Sequence, residues 1–504
     1  MILKTLLRAA GPASASLLLG GCVVGPDYAG APDAAPRALS GMPFVRADVV
    51  RSAVPVDPPA RWWTALRDPV LTDLVEEALV TNTSVQVASA RLRQSRAVLG
   101  QRTADLAPTV SANTVAINNQ FPVRDFAGSG LASGLGAGAG ATPGAVTVPK
   151  SINTDLYNAS FDATWEIDIF GGRQRAIEQA AAQGEAAEAA VADAQVQVAA
   201  EVAQAYVTLR GAQRRLALTL RAASLQREAV NLSRQRLAGG AASSLDVERL
   251  RTQFETTASQ APAFQAQIDQ SLNQIAVLVS REPGAVDALL KTPRAVPTPP
   301  TTLAVGDPAG MLRRRPDIRR AERQIAAANA QIGQSVAKLF PRVNLIGNAG
   351  WVSPNIGSIG SLAASTYSVG PTLSWNILDF GRTLAQIRQS EAGTDEALAQ
   401  YEQTVLQAMQ DAETSLSRYG HRRATVARLA RASASAGKAS MLTDQRNTAG
   451  TISTIDVLDV ERQRLQAEQS LAQAQAEYTN DFVALQKSLG LGWGLPNRRV
   501  AMVR

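Results

Sequence analysis

Cysteine and histidine are almost missing. The 504 residues hold one of each, Cys22 and His421. Zinc sites built from Cys and His, a Cys–His nucleophile pair and a disulfide framework all need more than that. A Ser-His-Asp triad would have to use His421. That residue sits in a Tyr-Gly-His-Arg-Arg context that reads as solvated helix surface, and no G-x-S-x-G elbow accompanies it. The inventory points away from an enzyme. Long apolar runs are missing too: beyond the N-terminus, no stretch reaches the roughly 18 apolar residues of a spanning helix. No run of one charge dominates either. The formal charge is +7, but the basic residues are scattered among 43 acids, so no nucleic-acid footprint is expected. The densest basic cluster, RRRPDIRR at 313–320, reads as a helix start, with Pro316 in the first turn and Asp317 complementing the dipole. Proline is absent from 150–261 and from 372–495, so very long helices are allowed there.

The first 21 residues have the pattern of an export signal: Lys4 and Arg8, a short apolar region ending at Leu17, Leu18 and Leu19, then Gly20, Gly21 and Cys22. Small residues before a cysteine form a bacterial lipobox, so Cys22 is expected to carry covalent lipid, with no other cofactor. Several acyl chains on one residue anchor far better than one, at about 0.8 kcal/mol per buried methylene. Val23 after Cys22, rather than aspartate, fits sorting to the outer membrane.

The rest of the chain is written twice. WEIDIFGGR at 165–173 answers WNILDFGR at 375–382, an offset of 210 residues; GGAASSLDVERL at 239–250 answers AGTISTIDVLDVERQRL at 449–465 at the same offset. Upstream, Leu106, Pro108 and Val110 answer Leu339, Pro341 and Val343 at an offset of 233, because the first half carries a longer Gly-rich loop at 128–145. Each half reads helix, strand, loop, strand, long helix, turn, helix. Strands are predicted at about 108–119, 155–169, 341–352 and 366–379. Tyr157, Ala159, Phe161, Ala163, Trp165, Ile167 and Ile169 alternate with Asn158, Ser160, Asp162, Thr164, Glu166 and Asp168. Such segments with aromatics near their ends match outer-membrane strands, though a half-buried soluble sheet alternates in the same way.

The long helices are predicted at 171–238 and 381–449, about 100 Å each. Ile177, Gly184, Val191, Val198, Ala205 and Ala212 recur at sevens, a coiled-coil spacing. Glycines stop both helices, Gly239 with Gly240 and then Gly450 with Thr451 following. Returning helices are expected at 244–279, kinked by Pro262, and at 454–489. Four strands cannot close a barrel, and an open edge in lipid leaves backbone groups unpaired. The sheet must close with copies of itself, and three copies give twelve strands around an open lumen lined by the polar set. A homotrimer is expected. The organisation is 1–21 signal peptide, 22–60 acylated extended segment, 61–280 first repeat, 281–306 Pro-rich equatorial linker, 307–490 second repeat and 491–504 tail.

These residues resemble the TolC-like outer-membrane factors, in particular the lipoprotein (NodT-type) branch that serves resistance–nodulation–division efflux pumps. The matching pieces are CVVGPDY at 22–28, WWTALRDPVLTDLVEEAL at 62–79, RRPDIRRAERQIAAANAQIG at 314–333, the two Phe-Gly junctions, and AGTISTIDVLD at 449–459. They span most of the mature chain in family order. The resemblance implies a mainly α fold with membrane β-structure: a trimeric 12-stranded outer-membrane β-barrel, four strands per chain, continuous with a periplasmic α-helical barrel. It implies passive passage of solutes delivered by an inner-membrane resistance–nodulation–division transporter and a periplasmic adaptor. By position, Asp456 and Asp459 match the aspartates that narrow the pore, and three copies of each would favour cations. Both also suit the start of a helix, as Asp246 does at the first-half turn. Asn447 and Ile452 stand where TolC has the Tyr and Arg of its closed gate, so closure is expected to rely on apolar packing by Ile452 and Leu458. The free tip turns, with Gly239, Gly240, Gly450 and Thr451, are expected to meet the adaptor. A type I protein-secretion channel shares the fold. A periplasmic adaptor lipoprotein would carry one helical hairpin, not two. The cargo is not written in the sequence.

Overall fold

The computed structural model describes residues 23–50, 53–122 and 151–493. Cys22, the 128–145 loop and the chain beyond Trp493 lie outside them. The helices longer than four residues are α1 Pro69–Thr81, α2 Thr83–Ala104, α3 Gly172–Ala238, α4 Ser244–Ala258, α5 Ala261–Leu278, α6 Pro308–Arg314, α7 Pro316–Ala337, α8 Arg382–Thr448 and α9 Thr454–Ser488; the long strands are β1 Thr109–Pro122, β2 Ser151–Ile167, β3 Arg342–Ser353 and β4 Ser365–Ser374. No described helix is long and apolar enough to cross a membrane.

The chain divides into two compact units, Met1–Tyr28 with Ala97–Ala180 and Ala328–Gly393, and the remainder. Both sequence repeats contribute to both units. The division follows type of structure, sheet or helix, and not the duplication.

In the sheet unit, β1-β2-β3-β4 form one antiparallel sheet in chain order. Its two hairpins share one register: Thr109 opposite Thr164 becomes Arg342 opposite Ser374 when the two repeat offsets are applied. Each strand hands over to a helix in the same way. Gly171 and Gly381 take φ of 73° and 83°, values that favour glycine. Asp168 then accepts from the Gln174 amide at 2.8 Å, and Asp379 from the Thr383 amide at 2.9 Å, capping α3 and α8. Phe170 stacks on Phe340 with centroids 4.6 Å apart. The segment after Cys22 is fastened to this junction. Val24 donates to the Phe170 carbonyl at 3.2 Å. Arg175, with only 4% of its side chain exposed, donates to the carbonyls of Val24 and Gly25 and to Asp27.

The helical unit has its main core around Trp62 and Trp63, both buried and set edge-on, with Phe482 against Trp62. Asp68 caps α1 through Oδ1 and accepts from Tyr206 at 2.7 Å through Oδ2. Burial and that carboxylate push the Tyr206 hydroxyl up to about 12. The heptad stripe on α3 needs correction. Val198, Ala205 and Ala212 are buried, but so are Ala199, Ala200, Val202, Ala203, Tyr206, Leu209 and Arg210, so this stretch is covered almost all round. A two-helix seam would bury a narrower face. The first returning helix is disturbed at Pro262, with Ser259 and Gln260 still in the right-handed helical region. It breaks into α4 and α5 at Ser259–Gln260, because Pro262 cannot donate to the residue 258 carbonyl. Its counterpart α9 is unbroken. The 281–306 linker is held in place: Arg210 binds the Leu290 and Thr292 carbonyls, Thr479 binds that of Pro297, and Leu303–Ala304 pairs in parallel with Ala53–Val54.

Candidate functional site

The sheet has two chemically different faces. Directly opposed residues share a face, so the register sorts them. One face carries Val110 and Ala112; Ala159, Phe161, Ala163, Trp165 and Ile167; Val343, Leu345, Ala349 and Trp351; and Tyr367, Val369 and Leu373. It is strongly exposed: Phe161 at 58%, Val110 at 67%, Val369 at 74% and Tyr367 at 85%. Trp165 and Trp375 each turn the indole N–H back to a carbonyl, of Leu106 at 2.8 Å and of Leu339 at 2.9 Å. Their ring faces stay apolar, as at a membrane interface. Beyond Tyr157 the pattern ends, and Asn118 donates to Asp155 at 2.6 Å. The other face carries Asn113, Asn158, Ser160, Asp162, Thr164 and Asn348, with Val115, Ile117, Ile346 and Val352 among them. Asp162 accepts from Asn113 on β1 and Asn348 on β3, tying three strands together. The polar set therefore stands opposite the lipid-type face, as expected.

The two tips, both in the helical unit, are copies of one another. α3 ends at Gly239 and Gly240, with Gly240 at φ 74° and the Ala241 amide donating to the Arg236 carbonyl at 2.7 Å. α8 ends at Gly450, also at φ 74°, with the Thr451 amide donating to the Arg446 carbonyl at 3.0 Å. Each returning helix opens with a capping box. Ser243 and Asp246 cap α4, and Ser453 and Asp456 cap α9. Hydrogen bonds from the Ser453 hydroxyl and amide, with Arg236 nearby, hold the Asp456 carboxyl below its usual range. The Ser243 hydroxyl does the same for Asp246. Asp459 accepts from Arg462 Nη2 at 2.8 Å and from Gln463 at 3.0 Å, with about half its side chain exposed at 53%.

Asn447 spans the second tip, donating to the Ile452 carbonyl at 3.0 Å. Leu458 is buried within the chain at 9% exposure. His421 is on exposed helix surface. No metal-binding cluster of three or more His, Cys, Asp or Glu occurs among the described residues.

Sequence reasoning missed the group that joins the helices behind the tip. Glu461 on α9 accepts from Arg464 Nε at 2.7 Å, Ser440 on α8 at 2.8 Å and Arg221 on α3 at 3.3 Å. The Arg464 guanidinium is chiefly what lowers the Glu461 pKa. The only signal in the text is ERQR at 461–464, which reads as ordinary helix surface.

A sheet with one exposed apolar face, with the polar set on the other, continuous in the chain with 67-residue helices is the fold of the trimeric outer-membrane channels. The chain belongs to the outer membrane efflux protein family, whose model matches residues 74–280 and 309–491. It is 31% identical over 485 residues to "Nodulation protein T" of Rhizobium leguminosarum bv. trifolii, covering 95% of this chain and 96% of that one. It is 30% identical over 488 residues to the "Antibiotic efflux pump outer membrane protein ArpC" of Pseudomonas putida, covering 95% and 94%. Among solved structures it is similar to the outer-membrane channel OprN, with a TM-score of 0.79 and 35% identity over 94% of this chain and all of that one. It shares its fold with the open state of the Neisseria gonorrhoeae MtrE outer membrane channel, at a TM-score of 0.74 and 24% identity over 94% of this chain and 98% of that one. The protein is thus an outer-membrane channel component of an efflux system. Its family is made of channel proteins, not enzymes.

Proposed function

We propose that three copies form a passive exit duct for solutes delivered by an inner-membrane resistance–nodulation–division transporter through a periplasmic adaptor. The observation that carries this reading is the exposed apolar face opposite the Asn158, Ser160, Asp162 and Thr164 face. One side suits lipid, the other suits water, and β1 and β4 have no outer strand partner among the described residues. Three sheets closing edge to edge leave no unpaired backbone in the membrane. Covalent lipid on Cys22 anchors the chain beside this sheet, since Val23 and Val24 pack at the β2–α3 junction.

Asp456 and Asp459 line the narrowest part, with divided labour. Asp456 shapes the turn through its cap, and Asp459 supplies the exposed charge. The tip residues Gly239, Gly240, Gly450 and Thr451 form the surface that meets the adaptor. A bulky change at Gly450 that preserved export and adaptor crosslinking would count against that contact. The duct is tested by planar-bilayer recording of the purified protein. Stable cation-favouring conductance is expected, and Asp456→Ala with Asp459→Ala weakens that preference. Protein that inserts but never conducts sinks the duct reading. A deletion strain that loses secretion of one large polypeptide while keeping its drug tolerance favours the protein-secretion alternative.

A further inference from the structure

Where α9 ends and α7 begins, the helical unit holds a cavity of about 460 Å³. Four helices line it: α3, α8, the end of α9 and the start of α7. α9 stands between α3 and α8. A Cβ on Gly211 of α3 would fall 2.8 Å from the Ala476 Cβ of α9, and Tyr478 of α9 stacks on Tyr419 of α8. One side of this layer meets the apolar core, through Tyr206, Leu416, Tyr419, Phe482 and Leu485. The cavity lies on another face. On α8 its lining is Asp411, Thr414, Ser415 and Arg418, a polar stripe at i, i+3, i+4 and i+7. The buried stripe of the same helix, Val405, Ala408, Ala412, Leu416 and Tyr419, runs about a third of a turn away.

The charged and polar side chains around the cavity fall into two groups. The first is paired. Arg315, 11% exposed, forks to Asp317 through Nε at 3.0 Å and Nη2 at 2.6 Å, and donates to the Ser488 carbonyl at 2.8 Å. Asp193 accepts from Arg320 at 3.1 Å. The second group is not. Gln204 on α3, Thr414, Ser415 and Arg418 on α8, and Lys487 on α9 line the cavity and make no hydrogen bond or ion pair among the described residues. Asp481, the carboxylate whose charge Arg418 feels, is itself bound by Arg422 at 3.2 Å. Of the three lining acids, Asp411 keeps the most freedom. It is 62% exposed and 3.8 Å from Arg315, whose guanidinium already serves Asp317.

Two cations on neighbouring helices are therefore left without counter-ions, beside two hydroxyls and an amide, against one shared carboxylate. That is a donor set for an oxyanion. We infer that this cavity binds the carboxylate or phosphate group of a solute, with Arg418 and Lys487 as charged donors and Thr414, Ser415 and Gln204 completing the site. Its place in export rests on the trimeric-duct reading: in a closed ring of copies, the side of this layer away from the core is the bore, and the cavity is a resting place for anionic cargo. The tip carboxylates Asp456 and Asp459 still set the net preference for cations. Charges are screened beyond about 8 Å at physiological salt, so a local oxyanion site and a distant acidic ring coexist.

Titration calorimetry of the purified full-length protein with citrate, and separately with inorganic phosphate, tests this at low ionic strength. One ion per chain is expected. Arg418→Gln with Lys487→Gln should weaken binding roughly tenfold or more, since both charged donors are gone. Asp411→Asn should tighten it roughly threefold, because a competing carboxylate is removed. That variant guards against loss by misfolding, since a damaged site does not bind more tightly. Arg428→Gln makes an equal charge change on exposed α8 surface outside the cavity lining and should bind as the parent does. No binding of either ion, a double variant that binds like the parent, or an equal loss in Arg428→Gln overturns the site. Planar-bilayer conductance of the same samples separates the two readings. Channels that conduct without binding either ion overturn the site and keep the duct. Specific binding by protein that never conducts keeps the site and removes the duct.

Discussion

Asp456 accepts two hydrogen bonds from Ser453, from its hydroxyl at 2.7 Å and its amide at 3.0 Å. The same pair recurs as Asp246 and Ser243. These bonds exist only while the carboxylate is charged or free to accept. The folded pKa of both aspartates lies below its ordinary value, so their contribution is present above the unfolded carboxylate range and lost as pH falls through the folded pKa. Amide exchange in the first turn of α9 is therefore expected to speed up between about pH 5 and about pH 3, beyond the intrinsic rate. Asp456→Asn should flatten that dependence. An acid response that persists unchanged in Asp456→Asn assigns it to other groups.

Glu461 holds three helices at once, and its loss should be felt on all three. Glu461→Gln weakens the bonds to Arg464, Ser440 and Arg221 and leaves the half-buried Arg464 guanidinium with Glu468 as its remaining carboxylate. A loss of about 1–2 kcal/mol is expected, read as faster exchange in α9 and the facing parts of α3 and α8. Asp459→Asn is the contrast. Its pair with Arg462 is exposed and within one helix, so its effect on stability should stay below about 0.5 kcal/mol.

Arg175 fixes the segment that follows Cys22. Gly25 lies so close to α7 that a Cβ would fall 2.5 Å from the Gly333 Cα, and a Cβ on Gly333 would fall 2.7 Å from Arg175 Cγ. Arg175→Ala removes the donors to Val24, Gly25 and Asp27. Proteolysis within 23–35 should rise sharply while the sheet stays resistant. Arg175→Lys should rescue only in part, since an ammonium concentrates its three donors on one nitrogen and cannot span the acceptors that Nε and Nη2 reach separately. Equal protection in the Ala variant would mean the glycine packing alone suffices.

What the sequence made legible follows from local chemistry. Alternation marked the strands, and the left-handed glycines Gly171, Gly240, Gly381 and Gly450 marked where elements end. The duplication then supplied the topology. Pro262 announced a disturbance, though the break into two helices depended on the geometry around residue 258. The candidate tip residues were found by position. Asp456 suited a helix start on sequence, and the capping box with Ser453 gives that fit its geometry. What stayed illegible is arginine. Nothing in the sequence sets Arg175, Arg210 and Arg464 apart from the other helix arginines, yet each is largely buried with its partners. For Arg210 these include carbonyls 80 and 82 residues away, a distance at which no periodicity carries information.

Arg210 therefore gives the sharpest energetic test. It is fully buried, its guanidinium lies 4.8 Å from the Tyr206 ring centroid, and Nη1 donates to Gln213 and to the carbonyls of Leu290 and Thr292. Nε and Nη2 have no hydrogen-bond partner among the described residues. Among the described residues no carboxylate pairs with it, so the cation is held by carbonyl dipoles, the Gln213 amide oxygen and the aromatic face. Arg210→Ala empties that space and leaves the Thr292 carbonyl without its donor, a cost of about 2–4 kcal/mol. Arg210→Met fills most of the volume and removes an expensive buried charge, so it should be milder by about 1 kcal/mol or more. Both should loosen the 281–306 segment, and exchange there should rise before the rest of the helical unit melts. If Arg210→Met is as damaging as Arg210→Ala, the charge itself and not the filled space secures the linker.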